Sequence, residues 1–551
     1  MKNSIDWFKR ARYGMFYHFG LYSLLGGNEN AVRSEHGKDE YRKLMNQFKA
    51  ENFNADDWVD CAVSMGAKYI VPTAKHAEGF CLWDSKLTDL KSTNTPCGRD
   101  LIAELAAAAA RKGVKFAFYF NLETWLNDGN DIWNRQGMAY IDFIEGQLEE
   151  LLTSYGPVAL VWFDHECPYD VPFERFEKII KKIKSLQPDC LVNDRGYSHK
   201  TIPYLLGDFV TPERHVPEVA PDRNLVVECC DSMGVTSWGY CSDDTFWSSE
   251  ELSRRVSKCA SMGYNYLLNV EPAPDGKIRH ECVDRAAALG EWIRRHEEGL
   301  SASSCKIEPH SNLDQKASIG VSSLSNETKA LYIHLWEWPK SDEILIPAKG
   351  TPVSAELEDG TKLTIRTDDI GMVLGGLPAV APASQGPWFI KLGFKEKPEA
   401  LPPAITKKIE LLPGQSAFLA PEKAEISFGT SVRGIKTVWV NYFTEGKVSL
   451  GNFHAKDEKV SWQVDVPEEG EYDVYMSLGS IKTQSDAGFE LSSGISSLTG
   501  RSWLTDHYSK PERRYIGKLS LAAGENQIVL KVTDVPNGSF SDVHGIWLIP
   551  A

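Results

Sequence analysis

Between Tyr13 and about Val270, short apolar, β-rich runs alternate with helix-like segments, and most of the runs close on polar or ionisable residues. Seven runs have this form: GMFYHFG (14 to 20), KYIVPTAKH (68 to 76), KFAFYFN (115 to 121), ALVWFDH (159 to 165), LVND (191 to 194), LVVECC (225 to 230) and YNYLLNV (264 to 270). Near-continuous apolar strands separated by helices predict a parallel sheet buried on both faces. DLIAELAAAAARKG (100 to 113) illustrates the intervening segments: an Ala-rich helix closed by a glycine. Seven or so such units favour a (β/α) barrel of the TIM type, an α/β fold, over an open doubly wound sheet. The G-x-G-x-x-G turn that would mark a dinucleotide fold is not in the sequence.

In a barrel the C-terminal ends of the strands face the mouth, where active sites are built. The polar strand ends are His18, Lys75 and His76, Asn121 and Glu123, Asp164, Asn193 to Arg195, Glu228, and Asn269 with Glu271. Trp83, Trp125, Trp162 and Trp238 fall in or just beyond those ends, where a flat ring could pack on the C–H face of a sugar. Each residue alone has an ordinary reading: a strand-end Asp as a helix cap or ion-pair partner, a Trp or His as core. Together they predict a polar pocket rich in carboxylates, with Asp164 in VWFDHE, Glu213 in GDFVTPE and Glu228 in LVVECC. Glycoside hydrolysis needs two such groups, one to protonate the leaving oxygen and one to attack the anomeric carbon or activate water.

Beyond Arg294 the helical runs fade and alternating strands take over. A chain of 551 residues exceeds one core, so three domains are expected: a barrel over 1–302, a β-sandwich over 303–425, and a second sandwich over 426–551. A formal charge of −16 without a Lys/Arg block argues against a nucleic-acid partner. No apolar stretch is long enough to span a membrane, and MKNSIDWFKRARYG has no signal-peptide core. That leaves the compartment open between cytoplasmic and processed periplasmic or secreted forms. The 11 cysteines lie between Cys61 and Cys305, an odd number best suited to reduced, buried thiols, and their spacing gives no support to structural zinc.

Seven blocks resemble the successive signatures of glycoside hydrolase family 29, the retaining α-L-fucosidases: WFKRARYGMFYHFGLYS, MGAKYIVPTAKHAEGFCLWDSKLTD, TPCGRDLIAEL, VWFDHE, VNDRGY, GDFVTPE, and SWGY followed by NYLLNVEPAPDG. They occur in family order over residues 7 to about 300. The resemblance implies a (β/α) barrel with a β-sandwich behind it, a covalent glycosyl-enzyme intermediate, an oligosaccharide or glycoconjugate substrate, and no metal or other cofactor. It implies Asp164 as nucleophile and Glu213 as acid/base, with Glu228 the alternative. His18, Glu29, His76, Tyr119, Trp162, Arg195 and Trp238 would line the sugar pocket, with strand register deciding between Tyr119 and Phe120. The chain departs from the family pattern at Ala77 (commonly His), Glu78 (Asp), Asn30 (Trp) and His165 (Gly). These departures leave open an α-L-galactosidase, or a sugar-binding protein with weakened catalysis. The last unit resembles the β-sandwich carbohydrate-binding modules of many glycosidases, with Trp503, Tyr508 and Trp547 as possible stacking residues. The oligomeric state is not legible.

Overall fold

The computed structural model describes the chain except for residues 1, 30–37, 124–136, 166–171, 197–206, 215, 217–225, 306, 311–318, 369–370, 383, 402–408, 412–415, 428–438, 443–447, 452, 483, 506 and 508–509. The chain forms two compact units, the first ending at Leu401 and the second built mainly from residues 402–551.

The first unit contains the barrel. Its strands are β1 (Tyr13–Tyr17), β2 (Tyr69–Lys75), β3 (Lys115–Phe116), β4 (Phe118–Asn121), β5 (Leu160–Asp164), β6 (Leu191–Val192), β7 (Phe209–Val210), β8 (Val226–Ser232) and β9 (Asn265–Val270). They pair in parallel in the order β6-β5-β4-β2-β1-β9-β8-β7, with β3 on β2. A parallel bridge between Asn193 and Phe209 joins the two ends, so the sheet curls into a nearly closed cylinder. All seven apolar runs contain strand. The eighth position, β7, lies inside GDFVTPE, where two apolar residues are too few to register as a periodic run.

Helices cover the outside. Leu101–Lys112 is typical: the Asp100 side chain accepts from the Ala103 N–H at its start, and Gly113 takes a left-handed φ of 69° at its end. The helix Lys2–Ala11 contributes Phe8, which packs on Tyr69 and Phe209 inside the barrel. Strand alternation then divides the side chains. On β5, Leu160 and Trp162 join the interior cluster, whereas Val161 and Phe163 join the core under the helices.

An antiparallel β-sandwich completes this unit. Its larger sheet runs Ser303–Ser304, Gly320–Ser325, Ala330–Leu335, Trp388–Phe394, Pro352–Leu357, with a three-stranded sheet of Glu343–Ile346, Gly371–Gly375 and Thr364–Asp368 beside it. Trp292 on the helix His280–Arg295 donates to the Pro387 carbonyl at 3.0 Å, and Phe389 joins the barrel-side core, so sandwich and barrel share apolar contacts.

The second unit is two sheets around Trp462, Met476, Phe489, Leu530 and Ile546. The boundary expected at 425–426 moves to 401–402. Ile409–Glu410 and Ala417–Leu419 hydrogen-bond to Lys459–Val466 and Asp542–Pro550, so they are strands of the C-terminal sheets. Among the described residues no helix is long and apolar enough to cross a membrane.

Candidate active site

The strand alternation that buries Trp162 also turns Asp164, two residues on, into the barrel mouth. Its carboxylate is gripped on both oxygens. Arg195 Nη1 approaches Oδ1 at 2.6 Å, and the Tyr119 hydroxyl donates to Oδ2 at 2.7 Å. Burial alone would raise the Asp164 pKa, but the Arg195 charge, the nearby His165 and the Tyr119 hydrogen bond outweigh it and hold the group well below the usual carboxylate range. Asp164 is therefore ionised across the physiological range.

Arg195 joins two carboxylates. Its Nη2 lies 2.6 Å from Glu213 Oε1, while Nε and Nη2 donate to the Thr211 hydroxyl and carbonyl, each at 3.0 Å. One planar guanidinium thus spans Asp164 and Glu213. Glu213 sits on the barrel rim, parallel-bridged to Cys230, with its side chain 41% exposed. Beneath Arg195 lie stacked planar groups: the guanidinium 4.5 Å over Trp162, Trp162 on Tyr119 at 5.8 Å, and Tyr119 on His76 at 5.5 Å with a 6° tilt. Register selects Tyr119, not Phe120, for the interior.

Across the mouth, His18 Nδ1 lies 2.8 Å from Asn269 Oδ1, and the Asn269 amide nitrogen donates to the Trp238 carbonyl and to Ser232. The amide is therefore oriented with its oxygen toward His18, which places the proton on Nδ1 and leaves Nε2 an acceptor. Burial pushes the His18 pKa down to about 4, so the ring is neutral. Its ring centroid is 5.4 Å from Trp238 and 5.7 Å from His76. Glu29 Oε2 accepts from the backbone N–H groups of Trp238 and Gly239, fastening that loop. Arg214 stacks on the Trp238 ring at 4.8 Å and donates to the carbonyls of Val235 and Ser237.

The structure thus gathers Asp164, Glu213, Arg195, His18, His76, Tyr119, Trp162 and Trp238, with Glu29 behind the Trp238 loop. Glu228 differs from the expectation that it lines the pocket. It points inward from β8, is fully buried, and accepts from Trp162 Nε1 at 2.9 Å and from the Tyr69 hydroxyl, so it supports Trp162 from below. Trp83 also leaves the set: its ring is in the outer core and its indole donates to Glu150. Lys75 turns outward after a register shift in β2, lying over Phe120 beside Gln147, and burial lowers its pKa to about 7. Asn30, Trp125, Glu166 and Tyr508 lie outside the described residues.

One contributor escaped the sequence reading, and another was marked there only as a departure from the family pattern. Thr211, inside GDFVTPE, orients Arg195. His165 adopts a left-handed φ of 58°, with Nδ1 3.1 Å from Glu123 and Nε2 3.9 Å from Asp164. That conformation favours glycine, so a His at the position is a signal of its own.

A parallel barrel with a paired carboxylate set and aromatic walls at its C-terminal mouth is the architecture of a glycoside hydrolase. The family profile described as Alpha-L-fucosidase matches residues 1–298, more than half the chain, and the protein belongs to that family. The tissue alpha-L-fucosidase of Homo sapiens is 27% identical over 426 residues, covering 70% of this chain and 88% of the relative. Among solved structures, alpha-L-fucosidase isoenzyme 1 of Paenibacillus thiaminolyticus is 28% identical with a TM-score of 0.63, covering 72% of this chain and 99% of its own. A trapped covalent intermediate of a Bacteroides thetaiotaomicron alpha-L-fucosidase, with 2-fluoro-fucosyl fluoride, is 26% identical with a TM-score of 0.62, covering 73% and 97%.

Proposed function

We propose that this glycoside hydrolase is a retaining exo-α-L-fucosidase, removing terminal α-L-fucosyl residues from glycans through a covalent intermediate on Asp164, with Glu213 as acid/base. The observation that carries the reading is the single Arg195 guanidinium held between Asp164 and Glu213. It keeps the attacking carboxylate ionised and brings the second carboxyl group to the same mouth. We assign the catalytic domain to residues 1–302.

The steps follow from the geometry. A terminal sugar enters beside Trp238, with Trp162 held beneath Arg195 and His18 Nε2 accepting from one of the sugar hydroxyls. Substrate binding separates Glu213 from Arg195, the exposed carboxylate takes up a proton from solvent, and that proton passes to the glycosidic oxygen as its bond to the anomeric carbon breaks. Asp164 then bonds to the anomeric carbon. Glu213, now a carboxylate, takes a proton from water, whose oxygen attacks the same carbon and releases Asp164. Two inversions give net retention. Glu228 acts as a positioning residue, fixing the Trp162 ring from below.

The trapped intermediate of the Bacteroides relative supports the covalent step. The test is hydrolysis of 4-nitrophenyl α-L-fucoside and α-L-galactoside by the parent, Asp164→Ala and Glu213→Ala. Parent turnover of the fucoside, a loss of about a thousandfold in folded Asp164→Ala, and azide rescue of Glu213→Ala to the α-configured glycosyl azide are expected. Preference for the galactoside would transfer the assignment to that sugar, and parental turnover of neither would favour a binding protein.

A further inference from the structure

Outside the barrel, one face of the second unit carries an organised aromatic surface. In the sheet built from Trp439–Tyr442, Val448–Gly451, Asp542–Pro550, Gly470–Gly479 and Glu512–Leu521, with Ala417–Leu419 also on Asp542–Pro550, inward residues such as Val474, Met476, Ile546 and Leu548 fill the core. The outward positions put aromatic residues in cross-strand register. Phe418 pairs with Trp547, Trp547 with Tyr475, and Tyr475 with Tyr515. Ring centroids are 4.6 Å apart for Phe418 and Trp547 and 5.4 Å apart for Tyr475 and Tyr515. The row runs across four strands, and its two ends, Phe418 and Tyr515, are 42% and 51% exposed. Gly545 makes room for it, because a Cβ there would overlap the Phe418 ring. By contrast Trp503 packs against the core of the unit.

A charge lies on this row. The Arg513 guanidinium stacks over Trp547 at 4.5 Å and over Tyr475 at 4.8 Å, and it has no carboxylate partner among the described residues. Two neighbouring cations are matched, Arg514 with Glu512 at 2.9 Å and Lys518 with Glu471 at 3.2 Å. An unmatched cation on an aromatic strip is locally complementary to an anionic group that also offers flat C–H faces. A second copy of the chain fits poorly, since a two-fold contact through this face would oppose two Arg513 side chains. A nucleic acid carries its charge on phosphates out of the plane of its bases, so a base stacked on Trp547 would not hold an anion level with Arg513.

We propose that this face binds a uronate-bearing polysaccharide. Sugar rings lie on the row formed by Phe418, Trp547, Tyr475 and Tyr515, and Arg513 lifts from the two inner rings to pair with a carboxylate. In a pyranuronate the carboxylate is joined directly to a ring carbon. It therefore stays level with a sugar ring stacked on Trp547, within reach of a guanidinium already resting there.

Native-gel affinity electrophoresis of the full chain tests this, with polygalacturonate, fully methyl-esterified pectin or dextran sulfate in the gel. Polygalacturonate is expected to retard the protein, and the ester and dextran sulfate to do so at least about tenfold more weakly. Arg513→Gln and the exposed-site variant Tyr515→Ala are each expected to weaken retardation by about tenfold, with aryl-glycoside turnover and melting temperature unchanged. No retardation by polygalacturonate, equal retardation by the ester or by dextran sulfate, or parental retardation of folded variants would overturn the proposal.

Discussion

Asp164 depends on neighbours of different kinds, and each makes a separable prediction. Arg195 supplies charge and a two-pronged geometry that Lys cannot reproduce. In Arg195→Lys the nucleophile's pKa rises from its depressed value; since attack requires the ionised form, the acid limb of the kcat/KM profile should move to higher pH. A neutral-pH loss of about 10- to 100-fold should accompany that shift. His165 contributes positive potential from a backbone conformation with φ 58°. His165→Gly should relieve about 1 kcal/mol of backbone strain, raising the melting temperature. It should also move the acid limb in the same direction as Arg195→Lys, by a smaller amount. An unchanged pH profile would separate His165 from the nucleophile. The sequence made Asp164 legible because VWFDHE changes from apolar to ionisable within one run. The left-handed backbone of His165 was marked only indirectly, by the glycine common at that position in the family, because the histidine itself does not announce a positive φ.

At the scale of elements, alternation within strands did most of the placing. It put Trp162 and Asp164 on one face of β5, and His18 two residues beyond Phe16 on the face of β1 that fills the barrel. Where alternation is interrupted, sequence reading lost the direction of the side chain. The register shift in β2 sends Lys75 outward, and Glu228 stops below the mouth because Tyr69 and Trp162 take both of its oxygens. The strand β7 was hidden by its length, and the sandwich boundary by short strands whose partners lie more than forty residues further along the chain. Helix packing adds a constraint that no motif announces. Gly290, on the helix His280–Arg295, has no room for a Cβ because the Ser64 carbonyl of the helix Ala55–Met65 occupies that space. Gly290→Ala should force the two helices apart and destabilise the barrel by about 1–3 kcal/mol in urea unfolding. Kinetic constants of the remaining folded fraction should stay at the parental values.

For the whole molecule, buried acids set how stability responds to pH. Glu78, Glu228 and Glu271 are fully buried, and desolvation raises their pKa values to about 8, about 7 and about 8. Glu271 is the one to test, near Asp244 and 3.7 Å from Arg279 Nη1. In the unfolded chain it ionises near the usual glutamate value of about 4.3. Below that pH both states hold the proton and the group is neutral in its effect. As pH rises the unfolded state gains a solvated carboxylate while the folded state keeps its proton, so stability falls until the folded group ionises near pH 8. Glu271→Gln removes this titration. The melting-temperature advantage of the variant over the parent should therefore grow from pH 5 to pH 8 and level off above it. An advantage independent of pH would mean that the carboxyl group ionises alike in the folded and unfolded states.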